Sequence, residues 1–518
     1  VPMRGGVALD LSFFNQVLEI NAAEKWVRVQ GGARWNFISD ELKKQGLALR
    51  TYPSSWFSTV GGWVNTGGSG IGTLKYGLLK DNVLELTLVT PQGEVRALAN
   101  QVLLFGAVFN SEGQLGVVAE VKVKVRETPA AVMPHLYTFK SVAAAMAFAR
   151  AVVANTKPFY LVLFDAPKMC ENNRLMKKAK LPESPSILCV VESREEESAL
   201  KRLVEGDQAA QEEVSYLAEY LWNERYFPIK AKKLGPGMLA ADILMPFEKV
   251  AEYAVRAEAL GHQFGVEVAT EAHISSEDTA LTLPTFLTDP RKPFAYLLHS
   301  AFASILAAEG IRLGGKPYGI GIWYKSFKKY KYDPAQWHRL IELKKRLDPK
   351  GLFNPGKSLS NGFTPPTVPG FAVPLMAWAT RVFARAPAHQ NEHAEPYREP
   401  DPFIHSVNAC SACGACFAKC PAYLTTRDER TTARGKLQLG AEILMKGNGA
   451  ITADEAQTMF LCMHCGYCTE VCQSELPLED AWVKLEAMLE QKFGMPAERI
   501  AQFVKDVEAY GVMTETRP

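Results

Sequence analysis

Cysteine is almost missing from the first four hundred residues of this 518-residue chain, where only Cys170 and Cys189 occur; the remaining eight of ten lie in two short runs near the C-terminus. That distribution excludes a disulfide framework and is metal-ligand spacing, which fits a reducing compartment. Cys170 and Cys189 are expected to be buried small apolar residues. A surplus of charge is missing too: 58 Lys+Arg against 56 Asp+Glu leaves +2, with nothing to attract nucleic acid. No apolar run reaches the roughly eighteen residues of a membrane span. The nearest, "VPGFAVPLMAWATRVFA" (368–384), holds two prolines, a threonine and an arginine. It is expected to lie on a membrane or a partner rather than to cross. No G-x-G-x-x-G follows a strand and opens a helix, so a dinucleotide fingerprint is lacking. The chain starts on Val1 with no charged-then-apolar leader, as expected for a start inside a domain rather than a processed signal peptide.

What is present is a soluble-protein composition, 47% hydrophobic and 22% charged, in a chain long enough for about three domains. Residues 1–126 alternate short β-rich runs with glycine turns ("WVRVQGG", "VLELTLVTPQGEV", "GVVAEVKVKV"), with a helix at "WNFISDELKKQGL", and read as an α+β block. Residues 127–357 mix helices ("SVAAAMAFARAVVA", "EEESALKRLVEGDQAAQEEVSYLAEYLW") with strands ("FYLVLFD", "SILCVVES", "MLAADILMPF"). They predict a second α+β domain, a sheet with helices on one face, closed by "LDPKGLFNPGK". Residues 358–402 are rich in proline and read as a linker, and 403–518 as an all-α domain around the cysteines.

The two runs are Cys410, Cys413, Cys416, Cys420 with Pro421, and Cys462, Cys465, Cys468, Cys472 followed by Gln473. Both have the C-x₂-C-x₂-C-x₃-C spacing of bacterial ferredoxins, in which the fourth cysteine of each run ligates the other run's cluster. The expected sets are therefore Cys410, Cys413, Cys416 and Cys472 for one [4Fe–4S] cluster, and Cys462, Cys465, Cys468 and Cys420 for the other. Zinc is the competing ligand, but it usually takes two separated pairs rather than a run of four. The long helical spacer 421–461 resembles the α-helical ferredoxin domain of succinate dehydrogenase, glycolate oxidase and heterodisulfide reductase iron–sulfur subunits.

The glycine-dense stretch "PSSWFSTVGGWVNTGGSGIGTLKYG" (53–77) implies backbone lying hard against a ligand, or else a tight surface turn. It stands in order between "RGGVALDLSFFNQVLEI", "VQGGARWNFISDELKKQGL", "DNVLELTLVTPQGEV" and "NSEGQLGVVAEVKVKV". That order resembles the PCMH-type FAD-binding domain of the vanillyl-alcohol oxidase superfamily, closest to its D-lactate dehydrogenase and glycolate oxidase branch. The resemblance implies FAD, with Pro53, Ser54, Thr59, Val60, Gly61 and Gly62 along its pyrophosphate and ribityl chain. Asn65, Gly67 and Gly68 would adjoin them, Glu112, Gly113, Gly116 and Val117 would hold the isoalloxazine side, and Asn354 would sit nearby. It also implies an earlier subdomain with a glycine-rich loop, expected to precede this sequence or to come from another chain, and a cap domain over 127–357.

A flavin takes hydride from an organic substrate and releases electrons singly, which makes sense of its fusion to clusters. The resemblance therefore implies oxidation of a D-2-hydroxy acid or related alcohol. The branch's metal-binding histidine motif is reduced here to "ATEAHISSEDTALTLP" (269–284), and its later His-Gly motif to "KPYGIG" (316–321) with Tyr318 at the histidine's place. His273, Arg312, Lys316 and Tyr318 remain candidates for substrate contact. A subunit that only wires electrons through its flavin, without an organic substrate, is the alternative. Electrons are expected to leave to a cysteine-rich heterodisulfide-reductase-like subunit, a quinone-linked protein or an electron-transfer flavoprotein. The expected location is the cytoplasm or the inner face of its membrane.

Overall fold

The computed structural model describes residues 5–11, 13–176, 180–207, 209–359, 367–384, 400–417, 420–445 and 452–510. The linker stretches 360–366 and 385–399 and the last eight residues lie outside it. The chain divides into two units. One holds Val1–Tyr226 and Leu239–His389; the other holds Phe227–Met238 and Gln390–Pro518.

The first unit contains two antiparallel sheets. In the first, Val17–Asn21, Trp26–Gln30, Val117–Glu127, Val83–Val89 and Val95–Ala99 lie side by side in that order. Alternation buries Val27, Val29, Val121, Val123 and Val125 on one face, where the helix Trp35–Lys43 supplies Trp35, Ile38 and Leu42. The second sheet runs Gln211–Glu212, Met133–Thr138, Ser186–Val191, Tyr160–Phe164, Ala269–Ile274, Thr279–Thr288, Ile243–Pro246, Lys316–Pro317. Its central strands YLVLF and SILCVV are buried at every residue. Leu161, Leu163, Ile187 and Cys189 face the helices Val142–Asn155 and Val250–Phe264, while Tyr160, Val162, Leu188 and Val190 join the core of the first sheet. Helices therefore cover one face, as the sequence predicts, and the neighbouring sheet's core covers the other. An unbroken apolar run is what such double burial requires.

Four expectations change. The 28-residue helical stretch 195–222 is two helices, Arg194–Gly206 and Ser215–Glu224, with a short strand at Gln211–Glu212 between them. Within the expected linker, Val373–Phe383 is a helix packed on Val250–Phe264 and Pro293–Arg312. Pro293–Arg312 is itself long and apolar enough to cross a membrane by composition, yet it buries Leu298, Phe302 and Leu306 in the core. Cys189 is buried, whereas Cys170 is only half-buried.

The second unit is helical among its described residues. Pro402–Ala409, Ala433–Met445 and Leu478–Phe493 pack around Phe403, Leu437, Trp482 and Leu485. The segment Phe227–Met238, separated in sequence by more than 150 residues, belongs to this unit.

Candidate functional site

The glycine-dense stretch folds into the short helix Val60–Thr66, capped by Thr59, whose Oγ1 accepts from the Gly62 N–H at 3.3 Å. The glycines here answer mostly to the protein itself. A Cβ on Gly61 would stand 2.9 Å from the Gly31 carbonyl oxygen, and one on Gly68 would strike Leu79 Cβ at 2.2 Å. Gly67 (φ 108) and Gly68 (φ 67) also lie in left-handed backbone. The Val60 and Gly61 amides are spent on the Ala33 and Gly31 carbonyls at 2.9 and 2.8 Å. By contrast, Gly62 is exposed and a Cβ there would meet only Thr59 Oγ1, and Gly113 is crowded only by Asn354 Nδ2 at 3.0 Å. These two leave backbone open for a flat or extended cofactor, so the residues fit FAD at Gly62 and Gly113 more directly than along the whole stretch. Pro53 and Ser54 lie beside this helix's approach, with the Ser54 carbonyl accepting from Trp56 N–H.

Asn65 binds the second loop to the first. Its Oδ1 accepts from the Gly113 N–H (3.1 Å) and the Ser111 hydroxyl (3.2 Å), and its Nδ2 donates to the Gly61 carbonyl (2.7 Å). Asn354 donates to the Gly113 carbonyl at 2.8 Å. A Cβ on Gly116, which precedes the strand opened by Val117, would lie 2.5 Å from the Val89 carbonyl oxygen, so this glycine serves packing. Glu112, at φ 54, accepts from the Ile320 and Gly321 N–H groups (2.6 and 2.8 Å) and pairs with nearly buried Lys331 at 3.1 Å. The 316–321 segment is thus strapped to the Glu112–Gly113 loop by a carboxylate. Tyr318 closes the same join: its hydroxyl accepts from the Ser69 N–H at 3.1 Å, and Ser69 Oγ meets Ser275 Oγ at 2.9 Å.

His273 sits on the strand Ala269–Ile274, between the Tyr160 hydroxyl (2.6 Å to Nδ1) and Glu271 (3.2 Å to Nε2). Burial pushes the Glu271 carboxyl up, but Lys168 at 3.7 Å and His273 outweigh it and hold the group down at about 2. Lys168 also pairs with Glu171 at 2.7 Å. Asp242 faces the same charges; its carbonyl accepts from the Tyr318 N–H at 2.9 Å, while its Oδ1 is buried without a hydrogen-bond partner. Burial, then the nearby Glu271 anion, raise its carboxyl to about 6. Tyr318 and Lys316 line a cavity of about 430 Å³ together with Lys80, Asn110, Lys331 and Arg339. Arg312 is not brought here: it lies exposed at the end of its helix, paired with Glu309 at 2.6 Å. Among the described residues no three metal-ligating side chains converge on His273.

Asp242, Glu271 and Tyr160 escaped the sequence reading. Glu271 was findable, since two residues from His273 on a strand is the same face. Asp242, a lone acid inside "MLAADILMPF", carried the weaker signal of a charge in an apolar strand pair.

In the second unit the two cysteine runs share one backbone path. Ala412 and His464, two residues after the first cysteine of each run, take φ 52 and 47; Gly414 and Gly466, after the second, take 76 and 73. The fourth cysteines cross over. Cys472 faces Cys410 and Cys413, and Cys420 faces Cys462 and Cys465, sharing with them and Cys468 one part-open cavity. Burial pushes the thiols of Cys416 up to about 12 and of Cys420 and Cys472 to about 11. Buried thiols so disposed become ligands only when a metal compensates their charge, and the convergence fits iron–sulfur clusters. Pro421 opens the helix Pro421–Thr426 after the first run; after the second, Glu475 turns the chain at φ 47 and is held by Lys230 at 2.9 Å and by Lys233. Lys232 donates to the Cys410 carbonyl at 3.0 Å and faces Cys413 and Cys472. Cys462, His464 and Glu486 also approach within 4.8 Å, at an exposed edge.

Three family models match the chain: an FAD binding domain over residues 2–99, the C-terminal domain of FAD linked oxidases over 128–358, and a 4Fe-4S dicluster domain over 406–476. Among curated proteins, the D-lactate dehydrogenase of Anaerostipes hadrus is 23% identical over 69% of this chain and 81% of its own length. The glycolate oxidase subunit GlcD of Bacillus subtilis is 27% identical over 69% and 80%. Among solved structures, p-cresol methylhydroxylase shares the fold with a TM-score of 0.58 at 14% identity, over 68% of this chain and 80% of that one. An alkyldihydroxyacetonephosphate synthase aligns at 0.52 and 19%, over 66% of each chain.

Proposed function

Because this chain is an FAD-linked oxidoreductase that carries a 4Fe–4S dicluster domain, we propose that it oxidises a D-2-hydroxy acid or related alcohol. Its electrons pass singly through two [4Fe–4S] clusters to an electron-accepting protein. The observation that carries this reading is Asp242: a buried carboxyl near 6, with an unpartnered oxygen, beside the tyrosine that lines the cavity. FAD, when bound, supplies hydride acceptance and single-electron release. The chain's own part is to take the substrate hydroxyl proton; Asp242, poised near the working pH, stands beside Tyr318 rather than on the cavity wall, and suits that role at one remove. Lys316 and Arg339 line the cavity with the cations a substrate carboxylate needs. Glu271 stays anionic and orients His273, whose other nitrogen is fixed by Tyr160. Glu112 and Asn65 hold the 316–321 segment and the Gly113 loop in register with the helix that carries Gly62.

The alternative, an electron-wiring subunit without an organic substrate, is favoured by Tyr318 standing where the hydroxy-acid branch has histidine. Anaerobic addition of D-lactate, glycolate and other 2-hydroxy acids separates the two. Bleaching of the oxidised flavin band supports the dehydrogenase, and an unchanged spectrum across the panel overturns it.

A further inference from the structure

Lys436 lies in the first turn of the helix Ala433–Met445, only 2% exposed, and its Nζ has no hydrogen-bond partner among the described residues. A buried ammonium without a counter-ion is among the costliest groups a fold can keep. What surrounds it is specific. Its Nζ stands 4.3 Å from the centroid of the buried Trp482 ring, a cation–π seat that fixes its direction. It lines the part-open cavity formed with Cys420, Cys462, Cys465 and Cys468, and its charge acts on Cys420 and Cys468. Among the described residues the other cysteine set has a cation of a different kind: Lys232 faces Cys413 and Cys472 but is anchored on the Cys410 carbonyl at 3.0 Å, whereas Lys436 makes no hydrogen bond.

We propose that Lys436 is a potential-setting residue: its fixed positive charge compensates the cluster ligated by Cys420, Cys462, Cys465 and Cys468 and favours that cluster's reduced state. Four thiolates around a [4Fe–4S] core carry net negative charge, which grows by one when a single electron arrives. A cation in contact therefore stabilises the reduced form more than the oxidised one. In the intermediate dielectric of a protein interior, one charge at contact distance shifts such an equilibrium by tenfold or more. This rests on reading 403–518 as a two-cluster carrier, which iron and sulfide content and the EPR spectrum of the unsubstituted chain test separately.

The experiment is an EPR-monitored redox titration of the full-length, cluster-loaded protein and its Lys436→Met, Lys436→Gln and Lys436→Arg variants. In Lys436→Met and Lys436→Gln, one cluster's reduction equilibrium falls about tenfold, about 59 mV for a one-electron couple, while the other is unmoved. Lys436→Arg keeps the original value. Unmoved midpoints with full iron content in either neutral variant overturn the proposal. If Lys436→Met fails to retain iron, the Gln and Arg pair decides it. Loss of iron from Lys436→Arg also overturns it, since a retained charge would then have compensated nothing.

Discussion

Replacing Glu271 by glutamine tests whether the buried charges around His273 hold the first unit together. The carboxyl titrates at about 2 in the folded chain against an ordinary 4.5, because Lys168 and His273 outweigh its burial. At about 1.4 kcal/mol per tenfold, that difference stabilises the fold by about 3 kcal/mol. A fifth of the side chain reaches solvent, which trims the figure to about 2 kcal/mol. Lys168 keeps Glu171 at 2.7 Å in the variant, so the loss stays below the 3–5 kcal/mol typical of stranding a buried charge. The sign follows from the direction of the shift. The folded carboxyl is depressed, so its contribution is complete above about pH 4.5 and disappears as pH falls toward 2. Denaturant unfolding followed by flavin fluorescence is the assay. Glu271→Gln should unfold at lower denaturant at pH 7, and its stability should fall less than that of the parent between pH 4.5 and 2.5. Equal midpoints at pH 7 would mean that the Glu271 charge contributes nothing to the stability of the fold.

Asp242→Asn should abolish flavin reduction by substrate while leaving flavin content intact; in the parent, kcat/KM should fall as pH drops below about 6, the value at which this base becomes protonated. Gly68→Ala should cost several kcal/mol or prevent folding, because its Cβ meets Leu79 Cβ at 2.2 Å in left-handed backbone. Gly62→Ala should fold and weaken FAD binding instead, as equilibrium dialysis would register. Cys472→Ser should disturb the same EPR signal as Cys413→Ser, and Cys420→Ser the same signal as Cys465→Ser. The opposite pairing would sink the crossed assignment.

The shared backbone path of the two cysteine runs was legible because it is local: the same spacing brings the same left-handed turns after the first and second cysteines of each run. The strands of the second sheet were legible for a similar reason, since double burial leaves an unbroken apolar run. The helix Val373–Phe383 was hidden by Pro374 within it and Pro369 before it, although Pro374 occupies the first turn, where proline is tolerated. The break between Arg194–Gly206 and Ser215–Glu224 falls at Gly206-Asp207, poor helix formers masked by the glutamates, alanines and leucines on either side, and Gln211–Glu212 pairs there with Met133–Thr138. At the site, His273 and Tyr318 stood out as residue types, but the partners that orient them come from strands and loops distant in sequence. Arg312 failed because an exposed arginine three residues from a glutamate on a helix is already satisfied. Lys436 was invisible because one lysine in a helical pattern carries no sign of being buried.

The segment Phe227–Met238 makes the C-terminal unit discontinuous in the chain. A single cut between residues 389 and 403 would release a fragment holding all eight clustered cysteines, but without Lys230, Lys232 and Lys233, leaving Glu475 and the Cys410 carbonyl without those partners. The cluster-bearing unit therefore cannot be lifted out of this protein by one cut along the chain. Exchanging that unit whole would take two segments of the chain, because Phe227–Met238 is encoded inside its neighbour.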